Sequence, residues 1–307
     1  MVQSLPLFGS PLVTALARSS IKTTNGLCVP GILARCYDEI YANGMELEGI
    51  FRKSGSAAVM NQLQARFEAA EDPLTVTFPP NVNGHSIAGL LKRYLQQLPE
   101  PVIPKQNQRQ FIEAFDDIKY SDDTIKARLL EACKALPYEH LHLLQFILYM
   151  CTMTQRCEKT NHMSLNSLAI IFAPTCVRLD GVSQLMPNEA IDHVTEFSKA
   201  GSSSCSDLPV SMNKQHDIFA KARKFICDAF KRKIGKHQKN NWNYNGKNSQ
   251  SMVLYQPSEL LRLDLIKEST TWIKIFKFMM VHASSFTRIT RYNSGALPPR
   301  IITRVKY

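Results

Sequence analysis

Apolar residues recur every three to four positions through most of the chain, and alternating strand patterns are scarce, so the pattern predicts a mainly α-helical protein. Periodicity read together with caps and breakers gives helices over 31–43, 56–70, 84–98, 107–116, 122–135, 139–156, 164–173 and 188–199, with two more near 214–234 and 258–282. Asn43-Gly44 ends the first, Ser54 or Ser56 caps the second, and Pro257-Ser258 opens the last. Ser164 can cap the helix carrying Leu165, Leu168, Ala169 and Phe172, and Pro174 is expected to end it. In 84–98, Ile87, Leu91, Tyr94, Leu95 and Leu98 form one apolar stripe. At about 100° per residue His85, Gly89, Lys92 and Gln96 fall on the other face, which presents Lys92 to solvent or to a partner. Pro99-Glu100-Pro101 stops that helix abruptly.

No apolar run reaches the roughly 18 to 20 residues of a membrane-spanning helix. Leu141–Met153, interrupted by His142 and Gln145, reads as a buried helix instead. With 307 residues and 44% hydrophobic content the chain can bury a substantial core as a soluble globular protein. Ala15-Leu16-Ala17 has the look of a cleavage site, yet the preceding stretch lacks a basic region and contains Pro6, Gly9 and Pro11, so no secretion is expected. Eight cysteines form no Cys-x-x-Cys pair and fit reduced thiols in a cytosolic protein. Cys151, Cys157 and His162 match no standard zinc spacing, and core packing is the expected role of Cys151.

The basicity of the chain is local. Of its net charge of +11, residues 214–247 contribute +8, from ten Lys/Arg and two acids. There Ile218, Ala222, Phe225, Ile226, Ala229 and Phe230 share a helix face, while Lys221, Arg223, Lys224, Lys231, Arg232 and Lys233 remain solvated. A peripheral helix docked by its apolar face accounts for this pattern; an anionic membrane surface or an acidic partner engaged through Lys214–Lys247 is the alternative. Trp242 and Tyr244 beside Lys239 and Lys247 are too few aromatics to make nucleic acid an expected partner. Gly201–Pro209 and Asn240–Gln256 read as linkers or loops.

Candidate chemistry centres on Glu48-Gly-Ile-Phe-Arg-Lys-Ser-Gly-Ser56. Ile50 and Phe51 would anchor the segment in a core, Gly49 and Gly55 permit a tight path, and Arg52 is left as a permanently charged fork of donors suited to a phosphate. Residue by residue, the alternative is an arginine that caps a helix end or pairs with a nearby carboxylate. The chain has no Gly-x-x-x-x-Gly-Lys-Ser/Thr phosphate loop, no His-Glu-x-x-His and no Gly-x-Ser-x-Gly, so an intrinsic catalytic site is not expected.

Three segments together resemble one family, the RhoGAP (Rho GTPase-activating protein) domain. They are Glu48–Ser56, the Leu90-Leu-Lys-x-Tyr-Leu-x-x-Leu-Pro-Glu-Pro101 run and the Met163-Ser-x-x-x-Leu-Ala-x-x-Phe-x-Pro174 run, in the family's order and spacing. Phe8-Gly-Ser-Pro-Leu12 followed by Val29-Pro30 is similar to the start of such a domain. The resemblance implies an all-α helical bundle over 7–290, with a core at 7–200, a terminal helix near 258–286, a basic insertion at 201–256 and a tail at 291–307. It implies a domain that binds the GTP form of a Rho-family small GTPase and accelerates its hydrolysis, with Arg52 as an arginine finger in trans. The Arg52 backbone carbonyl would help to hold the partner's water-positioning glutamine.

By the same resemblance Lys92 supports the finger loop and contacts the GTPase, Gly49, Lys53 and Gly55 shape the loop, and Gln96, Asn166, Ser167 and Pro174 line the partner-facing surface. No cofactor is expected, because Mg²⁺ and GTP would be held by the partner. The implied location is the cytoplasm, with recruitment to the inner face of the plasma membrane as an option. Two positions depart from the family pattern. Gln96, followed by Gln97, replaces a common arginine, and Ser167 replaces a common asparagine, with Asn166 one position earlier and turned by about 100°. These departures leave open a module that binds the GTPase without activating it; a basic lipid- or nucleic-acid-binding role through 214–247 is a third reading.

Overall fold

The structure is a computed structural model that describes residues 6–23, 26–178 and 257–288. The expected helices at 188–199 and 214–234, the insertion at 201–256, the basic stretch 214–247 and the tail 291–307 lie outside the described residues, as do Cys205, Cys227, Trp242 and Tyr244.

The described part is an all-α bundle with one small antiparallel ribbon. Its elements are α1 (Leu12–Arg18), β1 (Ser20–Lys22), β2 (Cys28–Pro30), α2 (Gly31–Asn43), α3 (Ala57–Ala69), a 3₁₀ turn (Pro73–Thr75) and α4 (Gly84–Gln97). There follow α5 (Lys105–Ala114), α6 (Asp122–Lys134), α7 (Tyr138–Arg156), α8 (Glu158–Asn161), α9 (Leu165–Val177), α10 (Pro257–Val281) and α11 (Ala283–Phe286). The ribbon pairs Ser20 with Pro30 and Lys22 with Cys28. Its strands of three residues are too short to show an alternating pattern, and α1, α8 and α11 span at most two turns, so periodicity does not reveal them.

The centre of the bundle is α7, buried on nearly all sides from His140 to Leu148 and touching α1, β2, α8, α9, α10 and α11. The polar residues that interrupt it are hydrogen-bonded inside. His142 Nδ1 accepts the Cys28 N–H at 2.9 Å, and Gln145 Nε2 donates to the Phe286 carbonyl at 2.9 Å. Burial pushes the His142 imidazole down to about 4, so it is neutral in the core. Helix α10 packs on α9, α7 and α5 through fully buried Trp272, Ile275, Phe276 and Met279, with the Trp272 and Phe111 rings 6.0 Å apart. At the other end, the Leu7 and Phe8 amides donate to the two Glu68 carboxylate oxygens at 2.7 and 2.9 Å, and the Phe8 ring meets Tyr94 edge-on. The Cys151 thiol is buried as expected, and no cluster of metal-ligating side chains exists among the described residues.

Two expectations need correction. Pro174 lies inside α9, which continues to Val177. Proline removes one amide, and the carbonyl that loses it belongs to Ile170, which is 47% exposed and so open to water. Burial of Thr175, Cys176 and Val177, and the Thr175 hydroxyl donating to the Ile171 carbonyl at 2.8 Å, carry the helix past the break. The face of α4 opposite its apolar stripe is likewise not uniformly solvated. There Gly89 backs onto Met60 of α3, and Lys92 is half-buried, because its side chain folds toward a loop that helical periodicity cannot register.

Candidate functional site

Between α2 and α3 the chain makes a tight loop whose geometry is set at Gly49 and Phe51. Both have positive φ, +71° and 67°, in the left-handed region that glycine accepts freely and phenylalanine does not. Phe51 therefore carries local strain, and persists there because its surroundings hold it. Its ring is fully buried and packs edge-on against Phe172 of α9 at 5.2 Å, while Lys92 Nζ of α4 donates to its carbonyl at 2.6 Å. At the root of the loop the Gly49 N–H donates to the Asn161 carbonyl at 2.7 Å, and the Gly49 carbonyl accepts the Arg52 and Lys53 amides, both at 2.8 Å. Gly55 closes the far side, so near to the first turn of α4 that a Cβ there would stand 2.3 Å from the Ser86 Cα. Ser56 then caps α3 by accepting the Val59 amide.

Arg52 projects half-exposed from this clamped loop. Among the described residues no carboxylate or carbonyl takes its guanidinium, and no donor takes its backbone carbonyl. The neighbouring acid, Glu48, pairs with Lys53 at 3.3 Å, so Arg52 neither caps a helix nor forms an internal ion pair. Burial lowers the Lys92 ammonium below its ordinary value. His85, on the first turn of α4, is also lowered, first by burial and then by Lys53 and Lys92. The loop is thus a cationic site with one unpartnered, permanently charged group.

The residues of the other two motif segments gather around it unevenly. The carbonyl of exposed Gln96 accepts Arg178 at 2.9 Å, and Arg178 also caps Leu98 and Pro99, which joins the end of α9 to the end of α4. The Ser167 hydroxyl lies 3.1 Å from that of Ser164, within the N-cap of α9. Asn166 is half-buried, with its Oδ1 atom shielded and unpartnered, and Pro174 is half-buried.

Residues 30–181 match the family described as the RhoGAP domain. This stretch is a RhoGAP domain. Human Rho GTPase-activating protein 24 is 33% identical over 149 residues, which cover 48% of this chain and 20% of that protein. The GTPase-activating protein BEM3 of Saccharomyces cerevisiae is 31% identical over 190 residues, covering 56% of this chain and 17% of BEM3. The chain thus spans about a fifth of the length of these curated relatives. Two solved structures share the fold. Human Rho GTPase activating protein 15 superposes with a TM-score of 0.50 at 23% identity, covering 66% of this chain and 94% of that one. The BH domain from GRAF, the GTPase regulator associated with focal adhesion kinase, gives 0.52 at 14% identity, covering 85% and 96%.

Within the RhoGAP domain, Gly49, Arg52, Lys53, Gly55 and Lys92 converge on one loop, with Phe172 beneath it. Reading the chain as local segments gave no role to Asn161, Phe172 or Arg178. Asn161 stands two residues ahead of the third motif and Phe172 belongs to it, but nothing in a linear sequence pairs them with residues more than a hundred positions earlier. Helix α1 and all of the ribbon but Pro30 lie ahead of the matched stretch, and α10 beyond it, yet all pack on its helices.

Proposed function

We propose that this domain binds the GTP form of a Rho-family small GTPase and accelerates hydrolysis by inserting Arg52 into the partner's active site. One observation carries the reading: the Arg52 guanidinium has no internal partner, although the loop beneath it is clamped from α4, α8 and α9. An arginine kept for its own fold would be paired, and a flexible one would cost entropy to order on docking. Negative charge spreads over the phosphoryl oxygens in the transition state, and a delocalised guanidinium delivered into a dry site neutralises it. The unused Arg52 carbonyl suits the role of holding the partner's water-positioning glutamine. Nucleotide and Mg²⁺ belong to the GTPase in this reading, so the chain supplies a catalytic group without an active site of its own. The extent of the domain over 7–290, and recruitment to anionic lipid through 214–247, belong to the same proposal.

Single-turnover GTP hydrolysis, with this protein saturating over a panel of purified Rho-family GTPases, tests it. The intact chain should accelerate at least one of them. An arginine finger is worth roughly 10³ to 10⁵ in rate, or about 4 to 7 kcal/mol of barrier, so Arg52→Ala should lose most of the stimulation. Its thermal midpoint should not move, since the guanidinium bonds nothing within the fold. Equal stimulation by the mutant would refute the finger. Binding without stimulation by the intact chain would favour a non-catalytic module, the reading that neutral Gln96 and the Ser164-bound hydroxyl of Ser167 support.

A further inference from the structure

We infer that Asn161 is a positioning residue for Arg52, fixing the root of the finger loop through its own backbone carbonyl. The inference rests on the finger reading above, and it concerns a residue that does not reach the surface: Asn161 is 0% exposed. Its side chain is fully used. Nδ2 donates to the Met45 carbonyl and to the Thr154 carbonyl, both at 2.8 Å, and Oδ1 accepts the Met163 amide at 2.8 Å. These bonds join the end of α7, the start of the α9 segment and the chain leaving α2 at one point. From that point the Asn161 carbonyl accepts the Gly49 N–H at 2.7 Å, three residues before Arg52.

The side chain therefore does not touch the finger. It holds rigid the carbonyl that bonds the loop at Gly49, and it also grips Met45, four residues upstream in the same loop. His162, the next residue, adopts a left-handed φ of 56°, so the backbone turns sharply just after the anchor. The need for such an anchor follows from the strain at Phe51, a left-handed non-glycine conformation that relaxes unless the loop is held at both ends. Lys92 holds the Phe51 carbonyl from α4, and Asn161 holds Gly49 from the opposite side. No other side chain of this type fits the role: a carboxylate lacks the two donors, and alanine leaves the Met45 carbonyl and the Met163 amide buried without partners and strips one of its two donors from the Thr154 carbonyl, which keeps the Cys157 amide at 3.2 Å.

The test compares Asn161→Ala and Asn161→Asp with Leu129→Ala, a buried residue of α6, which packs on α5 and α11, at a temperature where all are folded. At saturating protein the hydrolysis plateau reports finger geometry instead of affinity. Both Asn161 variants should lower it by roughly tenfold or more, about 1.4 kcal/mol or more of barrier, while affinity for partner loaded with a non-hydrolysable GTP analogue changes much less. Leu129→Ala should lose comparable thermal stability and keep the wild-type plateau. A wild-type plateau in the folded Asn161 variants would overturn the inference, as would an equal loss in Leu129→Ala. Hydrogen exchange of the wild-type protein tests the anchor even where the variants do not fold. The Gly49 and Met163 amides should exchange slowly and together, and a freely exchanging Gly49 amide would refute it. If the intact chain stimulates no GTPase, the functional reading fails by itself, and the exchange measurement still decides the anchor.

Discussion

Replacing Gly55 by alanine adds one methyl group at the point where the finger loop meets α4. The new Cβ would lie 2.3 Å from the Ser86 Cα, 2.5 Å from the Ser86 nitrogen and 2.7 Å from the His85 carbonyl carbon. All three are backbone atoms. The turn that holds them is capped by Asn83, whose side chain accepts the His85 amide at 2.9 Å, and Ser86, Ile87 and Ala88 are buried behind it. Since carbon atoms in contact rest about 3.5 to 4.0 Å apart, loop and helix must separate by roughly 1 Å. The bond from the Ser56 amide to Ser86 Oγ, 3.1 Å long, spans that same gap and would stretch. Gly55 is only three residues from Arg52, so the displacement passes to the proposed finger. An error of about 1 Å in placing a catalytic group can cost roughly 10²-fold in rate, or about 2.7 kcal/mol.

Gly89→Ala is the matched control, the same methyl added on α4, the helix that Gly55 abuts. Its Cβ would stand 2.5 Å from Met60 Sδ, with the neighbouring Met60 carbons at 3.7 and 3.8 Å. A thioether near the end of an unbranched chain can swing aside. Alanine also suits a helix interior better than glycine by roughly 0.5 to 1 kcal/mol, so this variant should be close to neutral in both rate and stability. Single-turnover hydrolysis at saturating protein, with thermal unfolding of each variant, separates the two. Gly55→Ala should show a rate loss of about two orders of magnitude and a stability loss of about 1 to 3 kcal/mol from overpacking. Wild-type rate and midpoint in Gly55→Ala would refute the loop geometry, and equal damage from Gly89→Ala would refute the distinction between backbone and flexible neighbours.

Two further outcomes follow from buried groups. Lys92→Met keeps the side chain's bulk but leaves the Phe51 carbonyl without its donor; a hydrogen bond to a charged group is worth about 1.5 to 3 kcal/mol, and the loss should appear more in the hydrolysis plateau than in the thermal midpoint. His142, held down to about 4 by burial, binds fewer protons folded than unfolded, where its ordinary value is 6.5. Stability should therefore be intact above about pH 6.5 and fall as pH drops toward 4, by roughly 1 to 3 kcal/mol, and His142→Gln should flatten that limb of a denaturant-measured stability profile.

The contrast between Lys92 and Asn161 explains how far the site was legible in the sequence. Helical periodicity placed Lys92 on α4 opposite the Leu91–Tyr94–Leu95 stripe, and the resemblance of the Leu-Pro-Glu-Pro run gave it a loop to support; in the fold its Nζ donates to the Phe51 carbonyl. Periodicity by itself pointed that side chain outward, because a wheel records the angle of a Cβ and not where a long side chain ends. The helices, the serine caps at Ser56 and Ser164 and the buried character of 141–153 were readable because each depends on neighbours within one or two turns. Asn161 depends on Met45 and Gly49, more than a hundred residues away, and an asparagine in a short polar segment looks the same whether it is solvated or holds a buried junction. The same distinction governs Arg52. Its sequence context offered a helix cap or an ion pair as readily as a finger, and what separates these is the absence of an internal partner, a property of the folded surroundings. A charged side chain that the fold neither pairs nor buries, on backbone that the fold restrains from three directions, is organised for something outside the fold.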